Sequence, residues 1–457
     1  MRRRVHIVGI GGAGLSAIAR VLQERGDTVT GSDQTVSPYA QALEEKGISI
    51  HYGHAAENIL GAELVLVSSA IPETNPEVTA ARQAGLPVLH RRDFLGELTA
   101  GLELAAVAGT HGKTTTTSLI VWILTQAGRQ PGFVLGGLPP DLGTNAAAGA
   151  GTEFVIEADE YDGAFLGLSP NLAVVTNVEH DHPDIYPTPA DLESAFREFV
   201  ERVQDKLIVC LEDPVASTLG RGGLARETYG LATGADWRAD EIRPNSAGGS
   251  DFLAWRGTLS LGLFRTRLPG RHNVLNALAA IAAADWFGVG MPEIRQSLSG
   301  FHGVERRFEV LGEAAGTVVI DDYAHHPSEI RATLEAARER YPGHSIWAVF
   351  QPHTYSRARA LLDGFAQAFS AAQHVVVTEV YASREAPDPT MGGRILAERI
   401  LHPEVYFAPD LEAASAHILA RLVPPAVVVT LSAGDANAIG RSVLEALSTG
   451  GKGVGGT

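Results

Sequence analysis

Two glycine-rich loops, each set between a short apolar run and a helical pattern, constrain this chain more than any other feature. The first, GIGGAG, follows the run beginning VHIV and precedes a helix predicted from about Leu15 to Arg25. The second, GTHGKTTTT, follows LELAAVAG and precedes a helix predicted from about Thr114 to Gln126. A strand, a glycine turn and a helix N-terminus together form an anion site. Glycine lets the backbone approach closely, and the first helical turn offers unpaired N–H groups and positive potential.

The second loop is shorter than the usual phosphate loop, which has four residues between its first glycine and the Gly-Lys pair. Here only Thr110 and His111 separate Gly109 from Gly112 and Lys113. Its context is right: Lys113 is placed to reach terminal phosphates, and Thr114 to offer its hydroxyl to Mg²⁺. Lysine occurs only at Lys46, Lys113, Lys206 and Lys452 in a chain otherwise rich in arginine, so Lys113 is not a generic positive charge. The first loop satisfies G-x-G-x-x-G through Gly9, Gly11 and Gly14, and Asp33 closes the next strand at the spacing of a ribose-binding acid. That pattern reads a diphosphate. It leaves open NAD(P), another nucleotide, or a tight turn alone.

At 457 residues the chain is long enough for about three domains of ~150 residues each. Strands and helices alternate to about residue 99, as in DTVTGSD and AELVLVSSAI, which predicts a helix-covered parallel sheet. A second region, 100–308, adds TEFVIEADE and NLAVVTNVEHDH. Short antiparallel strands are expected in RETYGLATGADW, DFLAWRGTLSLGLF and FRTRLPG, with NSAGGS as a turn and a helix in PGRHNVLNALAAIAAADWFG. A third region, 309–457, carries TVVIDDYAHHP, SIWAVFQPH, HVVVTEVY and AVVVTLSAGD, each followed by a helical pattern. The tail STGGKGVGGT is expected to be disordered. The fold class is therefore α/β in three domains: a Rossmann-like N-terminal domain, a central P-loop ATPase-like domain with a mixed sheet, and a Rossmann-like C-terminal domain.

A net charge of −17 argues against non-specific nucleic-acid binding, which needs a basic footprint. The single cysteine, Cys210, lies in the apolar run KLIVCL and reads as a buried, inert thiol. MRRR lacks the apolar stretch of a signal peptide, and no membrane-spanning run is present, so a cytoplasmic protein is expected. Magnesium needs hard ligands beside the phosphates. Glu157, Asp159 and Glu160 stand just past one apolar run, and His180, Asp181 and His182 past another. In a parallel sheet the C-terminal strand ends share an edge, so both clusters should face the phosphate loop.

At this point GTHGKTTTT, EADEYDGAF, TNVEHDHPD, PGRHNVLNALAA, GVERRFE, DDYAHHP and QPHTYSRAR together resemble the Mur ligases, ATP-dependent amino-acid ligases of bacterial cell-wall synthesis. The motifs run through all three regions, and GIGGAGLSAIA, DDYAHHP and QPHTYSR resemble the alanine-adding branch. The resemblance implies ATP and Mg²⁺ as cofactors, UDP-N-acetylmuramate and L-alanine as substrates, and an acyl-phosphate intermediate. It implies no nucleic-acid or membrane partner, and a monomer or weak homodimer.

Carried over by position, Gly109, Thr110, His111, Gly112, Lys113, Thr114 and Thr115 hold ATP phosphates, and Thr114, Glu157 and His182 are metal ligands. Lys113, Glu157 and His182 form the catalytic set. His272, Asn273 and Asn276 match the adenine-reading helix, and Arg307 and Asp322 match contacts to phosphate and ribose. Tyr323, His325, His326, His353 and Arg357 match the amino-acid and muramoyl side. Gly11, Gly12, Ala13, Gly14, Leu15, Ser16, Asp33, His54, Ser68 and Ser69 match the UDP-sugar site.

Two departures stand out. PADLESAFREFV lacks the carbamylated lysine that holds a second metal in several siblings, as the alanine-adding branch does, and Thr354 stands where many relatives have arginine. The alternatives are a relative that attaches a recycled tripeptide to the same sugar nucleotide, an NAD(P)-dependent oxidoreductase, and a non-catalytic nucleotide-binding scaffold.

Overall fold

The computed structural model describes residues 2–220 and 222–450. Its first sheet comprises β1 (Arg4–Val8), β2 (Thr28–Asp33), β3 (Ser49–Tyr52), β4 (Leu64–Val67) and β5 (Val88–His90), all parallel in the order β3-β2-β1-β4-β5. The helix after the first glycine loop spans Ala13–Glu24 and so begins two residues earlier than expected. Gly12 is extended at its N-cap, and no side chain caps the first turn.

The central sheet comprises β6 (Glu103–Ala108), β7 (Gly132–Val134), β8 (Ala146–Ala147), β9 (Glu153–Glu157), β10 (Leu172–Val175), β11 (Lys206–Cys210), β12 (Ala225–Gly230), β13 (Trp237–Pro244), β14 (Ser250–Arg256) and β15 (Leu259–Thr266). Its order is β15-β14-β13-β12-β11-β10-β6-β9-β7-β8. One expectation is corrected here: β12 pairs in parallel with both β11 and β13, so the antiparallel run at this end of the sheet is β13-β14-β15, with β7-β8 antiparallel at the opposite edge. The long connection 211–224 carries the chain back to the start of the sheet, as a parallel pair requires, and alternation within RETY does not encode that return. FRTRLPG is the end of β15, not a strand of its own.

Registers set the site. Ala108 pairs with Val175, and Val107 with Glu157, so β6, β9 and β10 release their following loops at one edge. Those loops are the phosphate loop, the acidic cluster and the histidine cluster.

The third sheet comprises β16 (Glu309–Ala314), β17 (Thr317–Asp322), β18 (Ser345–Phe350), β19 (His374–Val377), β20 (Val405–Phe407) and β21 (Ala426–Leu431), ordered β16-β17-β21-β18-β19-β20 with only the β16 edge antiparallel. The final helix, Asn437–Gly450, takes in the first three residues of the tail expected to be disordered, and 451–457 lie outside the described residues. Among the described residues no helix is long and apolar enough to cross a membrane.

The first domain contains a polar cluster that the sequence does not announce. Glu77, in the first turn of Pro76–Gln83, is fully buried. It accepts hydrogen bonds from Ser32 Oγ and Asn58 Nδ2, and lies 3.3 Å from His54 Nδ1 and 3.6 Å from His6 Nε2. Burial opposes its charge, but the close approach of His6 and the bonds from Ser32 and Asn58 outweigh burial and hold the carboxyl at about 2. Its contribution is therefore present above about 4.5 and lost only as pH falls toward 2. Replacing Glu77 by Ala leaves buried donors unpaired and is expected to cost about 3 kcal/mol. Calorimetry at neutral pH should show an earlier first unfolding transition, and an unchanged thermogram would contradict this reading.

Candidate active site

The phosphate loop is shaped by what surrounds it. Gly109 (φ 135°) and Gly112 (φ 78°) adopt left-handed backbone that favours glycine, and a Cβ on either would run into Thr176 or Asn276. Segment 176–179 pins the loop from the side. Asn177 Oδ1 accepts His111 N–H at 2.8 Å, Thr176 Oγ1 donates to His111 O at 2.6 Å, and Thr110 Oγ1 donates to Glu179 O at 3.0 Å. Gly112 then opens the helix Lys113–Gln126.

Lys113 Nζ is buried against carboxylates. It donates to Glu160 Oε2 at 2.8 Å and Oε1 at 3.0 Å, and to the carbonyls of Gly109 and Thr110. Burial works against its charge, but Glu160, Asp159 and Glu157 outweigh burial and raise the ammonium above its ordinary value. Thr114 Oγ1 donates to Glu157 Oε1 at 2.9 Å, and Glu157 Oε2 accepts Gly136 N–H at 2.7 Å. Thr114 and Glu157, two of the residues expected to hold a metal, are thus brought into direct contact. His182 stands apart from their contact, with Nε2 3.7 Å from Asp181 and 3.9 Å from Glu160. His180 is taken up locally, its Nε2 meeting Tyr186 O.

One cavity of about 400 Å³ joins the domains. Gly14 and Arg91 line it from the first, Lys113 and Glu157 from the second, and His353 and Arg357 from the third. A neighbouring cavity of about 220 Å³ is lined by Thr115, His272, Asn273, Asn276, Arg307 and Asp322, all from the expected ATP-binding set. Asn276 Nδ2 donates to Asn273 Oδ1 at 3.1 Å, and Asn273 donates to Pro269 O, so each amide is oriented by the next. Burial lowers His272 to about 4, so it is neutral at pH 7.

Two expected ribose acids are engaged with backbone. Asp33 Oδ2 accepts Gly11 N–H at 2.9 Å. Asp322 accepts Phe308 and Ala324 N–H, and burial raises it to about 6. Of the residues expected at the UDP-sugar site, Gly12, Gly14, Leu15, Ser68 and Ser69 line a separate small pocket, while the Ser16 hydroxyl donates to Ala13 O and His54 turns into the Glu77 network.

On the acceptor side Arg357 Nε donates to Asp181 Oδ1 at 2.7 Å in a buried ion pair between the third and central domains. Burial resists ionisation of Asp181, but Arg357 outweighs it and drives the carboxyl well below its usual range. Tyr323 lies under the guanidinium groups of Arg306 and Arg307, each 5.1 Å from its ring. Burial lowers His325 to about 3 and His326 and His353 to about 4, so all three are neutral at pH 7. Thr354 caps the helix Tyr355–Ala360.

The sequence reading missed Glu179 and Glu329. His111 Nε2 is 3.3 Å from Glu179 and its Nδ1 3.2 Å from Glu329, so its ring bridges the central and third domains. Ser328 Oγ donates to Glu179 Oε2 at 2.6 Å. Glu329 could have been found as the acid of a capping box opened by His326. Glu179 lies within a quoted motif but carries no pattern that points across a domain boundary.

Family models match in chain order: "Mur ligase family, catalytic domain" over 4–102, "Mur ligase middle domain" over 107–284, and "Mur ligase, glutamate ligase domain" over 306–434. The chain belongs to the Mur ligase family. It is 44% identical to the UDP-N-acetylmuramate–L-alanine ligase of Roseiflexus castenholzii, over 97% of each chain. It is also 44% identical to the ligase of the same name from Thermobifida fusca, over 97% of this chain and 96% of that one. Among solved structures, the UDP-N-acetylmuramate–alanine ligase of Thermotoga maritima superposes with a TM-score of 0.82 at 30% identity, covering 98% of this chain and all of that one. A murein peptide ligase of Psychrobacter arcticus gives 0.71 at 28% identity, covering 98% and 99%.

The His111 bridge has a pH signature. Burial would lower its pKa, but Glu329 and Glu179 raise it from 6.5 to about 9. Its contribution is complete below about 6.5 and is lost as pH rises through about 9. Glu179, lowered to about 2, contributes above about 4.5 and is lost only in strong acid. Between pH 6.5 and 9.5 the melting temperature of the wild type should therefore fall more than that of His111→Gln, by about 2 °C. Parallel curves for the two proteins would contradict the bridge.

Proposed function

We propose that this protein is an ATP-dependent ligase that joins L-alanine to the carboxylate of UDP-N-acetylmuramate in peptidoglycan biosynthesis, releasing ADP and phosphate. The observation that carries this reading is the shared cavity, where a phosphate loop, a first-domain glycine loop and Arg357 of the third domain open onto one space. The family and the alanine ligases at 44% identity give the reaction class and the acceptor.

The residues suit the chemistry. A carboxylate is a poor electrophile, so its oxygen first attacks the γ-phosphorus of ATP, the bond to ADP breaks, and an acyl phosphate forms. Lys113 exchanges part of its contact with Glu160 for the transferred phosphate and stabilises the charge there. The alanine amine, once deprotonated, attacks the acyl carbon, and the tetrahedral intermediate expels phosphate to leave an amide. Arg357 is the fixed positive charge on this side, because its histidine neighbours are neutral. Thr114 and Glu157 are hard oxygen donors at the mouth of the loop and fit Mg²⁺, with His182 as the further ligand. When bound, the ion supplies Lewis-acid stabilisation of phosphate charge. We place the domain boundaries at residues 99 and 308, and the protein in the cytoplasm as a monomer or weak homodimer.

Two experiments test this. With ATP and UDP-N-acetylmuramate, phosphate release is expected with L-alanine, whereas release only with the recycled tripeptide would make the protein a murein-peptide ligase. Lys113→Ala should reduce turnover at least about 10³-fold, while UDP-sugar binding by calorimetry stays near the wild-type value. Turnover that survives the substitution would overturn the assignment of the loop.

A further inference from the structure

The small pocket beside the first glycine loop is lined from all three domains. The first domain contributes Gly12, Ser68, Ser69 and Arg92, the central domain Tyr161, and the third domain Arg384. N–H groups in the first turn of Ala13–Glu24 have no intrahelical partner, and no side chain caps them. Arg91, which also lines the pocket, is bound to Asp159 at 2.6 Å. Arg92 and Arg384, by contrast, have no ion-pair partner among the described residues, and Asp162 is the pocket's one lining acid. The free donors and the guanidinium groups without an ion-pair partner have the chemistry to receive the oxygens of a doubly phosphorylated ligand.

Arg384 is held there by construction. Its neighbour Glu385 accepts Tyr355 N–H at 2.7 Å and Ser356 N–H at 3.0 Å, which ties the turn to the start of the helix Tyr355–Ala360. Ser383 is left-handed (φ 55°), and Glu385 N–H closes the turn on Ala382 O. Arg384 then projects away from the third domain, with its guanidinium 4.5 Å from the centre of the Tyr161 ring. Tyr161 in turn lies edge-on to His182, 5.0 Å between centroids, beside the catalytic cavity.

We propose that Arg384 is a substrate-positioning residue that reaches from the third domain, over Tyr161, to hold the diphosphate of the sugar nucleotide against the first-domain glycine loop. This rests on the ligase reading above and adds to it a direct link between sugar-nucleotide occupancy and the position of the third domain.

The test compares full-length wild type, Arg384→Ala and Arg384→Lys. Arg384→Ala is expected to raise KM for UDP-N-acetylmuramate about tenfold, the loss of one charge-assisted contact, with KM for ATP and L-alanine unchanged and kcat near wild type. Arg384→Lys should recover most of the loss, and calorimetric affinity for UDP alone should fall with Arg384→Ala by a similar factor. An unchanged KM for the sugar nucleotide, or a rise confined to L-alanine, would overturn the assignment while leaving the ligase reading intact. If the wild type bound neither UDP nor UDP-N-acetylmuramate, the ligase reading would fall and the assignment with it.

Discussion

The Lys113 ammonium is the charge on which the rest of the site depends. It is buried, and a buried ammonium is tolerated only where carboxylates surround it. Glu160 meets it directly, while Asp159 and Glu157 add to the field. This arrangement needs β6 and β9 side by side and in register, because the lysine follows one strand and the acids follow the other. Asp159 also binds Arg91 of the first domain, so the same acidic turn that holds Lys113 fixes the edge of the sugar-nucleotide region. Asp159 is held at about 2: burial opposes its charge, and Arg91 and Lys113 outweigh burial. Cations from two domains are thus tied to a single acidic turn.

Much of this was legible in the sequence. Strand, loop and helix around GTHGKTTTT required a phosphate site, and polar clusters after apolar runs had to share its edge once the sheet was parallel. Thr114 and Glu157 meet for that reason. What escaped were contacts between segments far apart in the chain. His111 and Glu329 are separated by 218 positions, and no local pattern couples them. Glu77 reads as an ordinary acid in the first turn of a helix and gives no hint of complete burial. Asp33 and Asp322 illustrate a different limit. Spacing located both beside nucleotide loops, but it could not say that their oxygens already accept backbone N–H groups. The antiparallel reading of RETY failed because period-2 alternation fixes a strand's faces and not its direction.

Thr354 shows how a departure from pattern can be local in cause and wider in effect. It takes a left-handed backbone (φ 62°) and caps its helix, and Glu385 binds the next two N–H groups. Helix start and turn 381–385 are therefore one unit. The unit presents Arg357 inward to Asp181 and Arg384 outward to Tyr161, so two guanidinium groups from one short region line two different cavities.

The two domain interfaces differ in kind, and the difference decides which domain can move. A single apolar cluster runs from the first domain into the central one, taking in Phe94, Leu95 and Leu98 on one side and Phe154, Phe165 and Phe196 on the other. Opening that interface would expose aromatic surface to water. The third domain's apolar clusters take only the boundary residue Phe308 from the central domain, and its side-chain ties to that domain are polar: Arg357 to Asp181, His111 to Glu329, and Ser328 to Glu179. Polar ties can be exchanged for water at modest net cost, whereas a shared apolar core cannot. The cavity of about 220 Å³ lies at this polar interface, so under the ligase reading a nucleotide would enter and leave where the molecule is cheapest to open. The apolar interface holds the glycine loop and the phosphate loop in fixed relation, which the transfer of phosphate to a bound carboxylate requires.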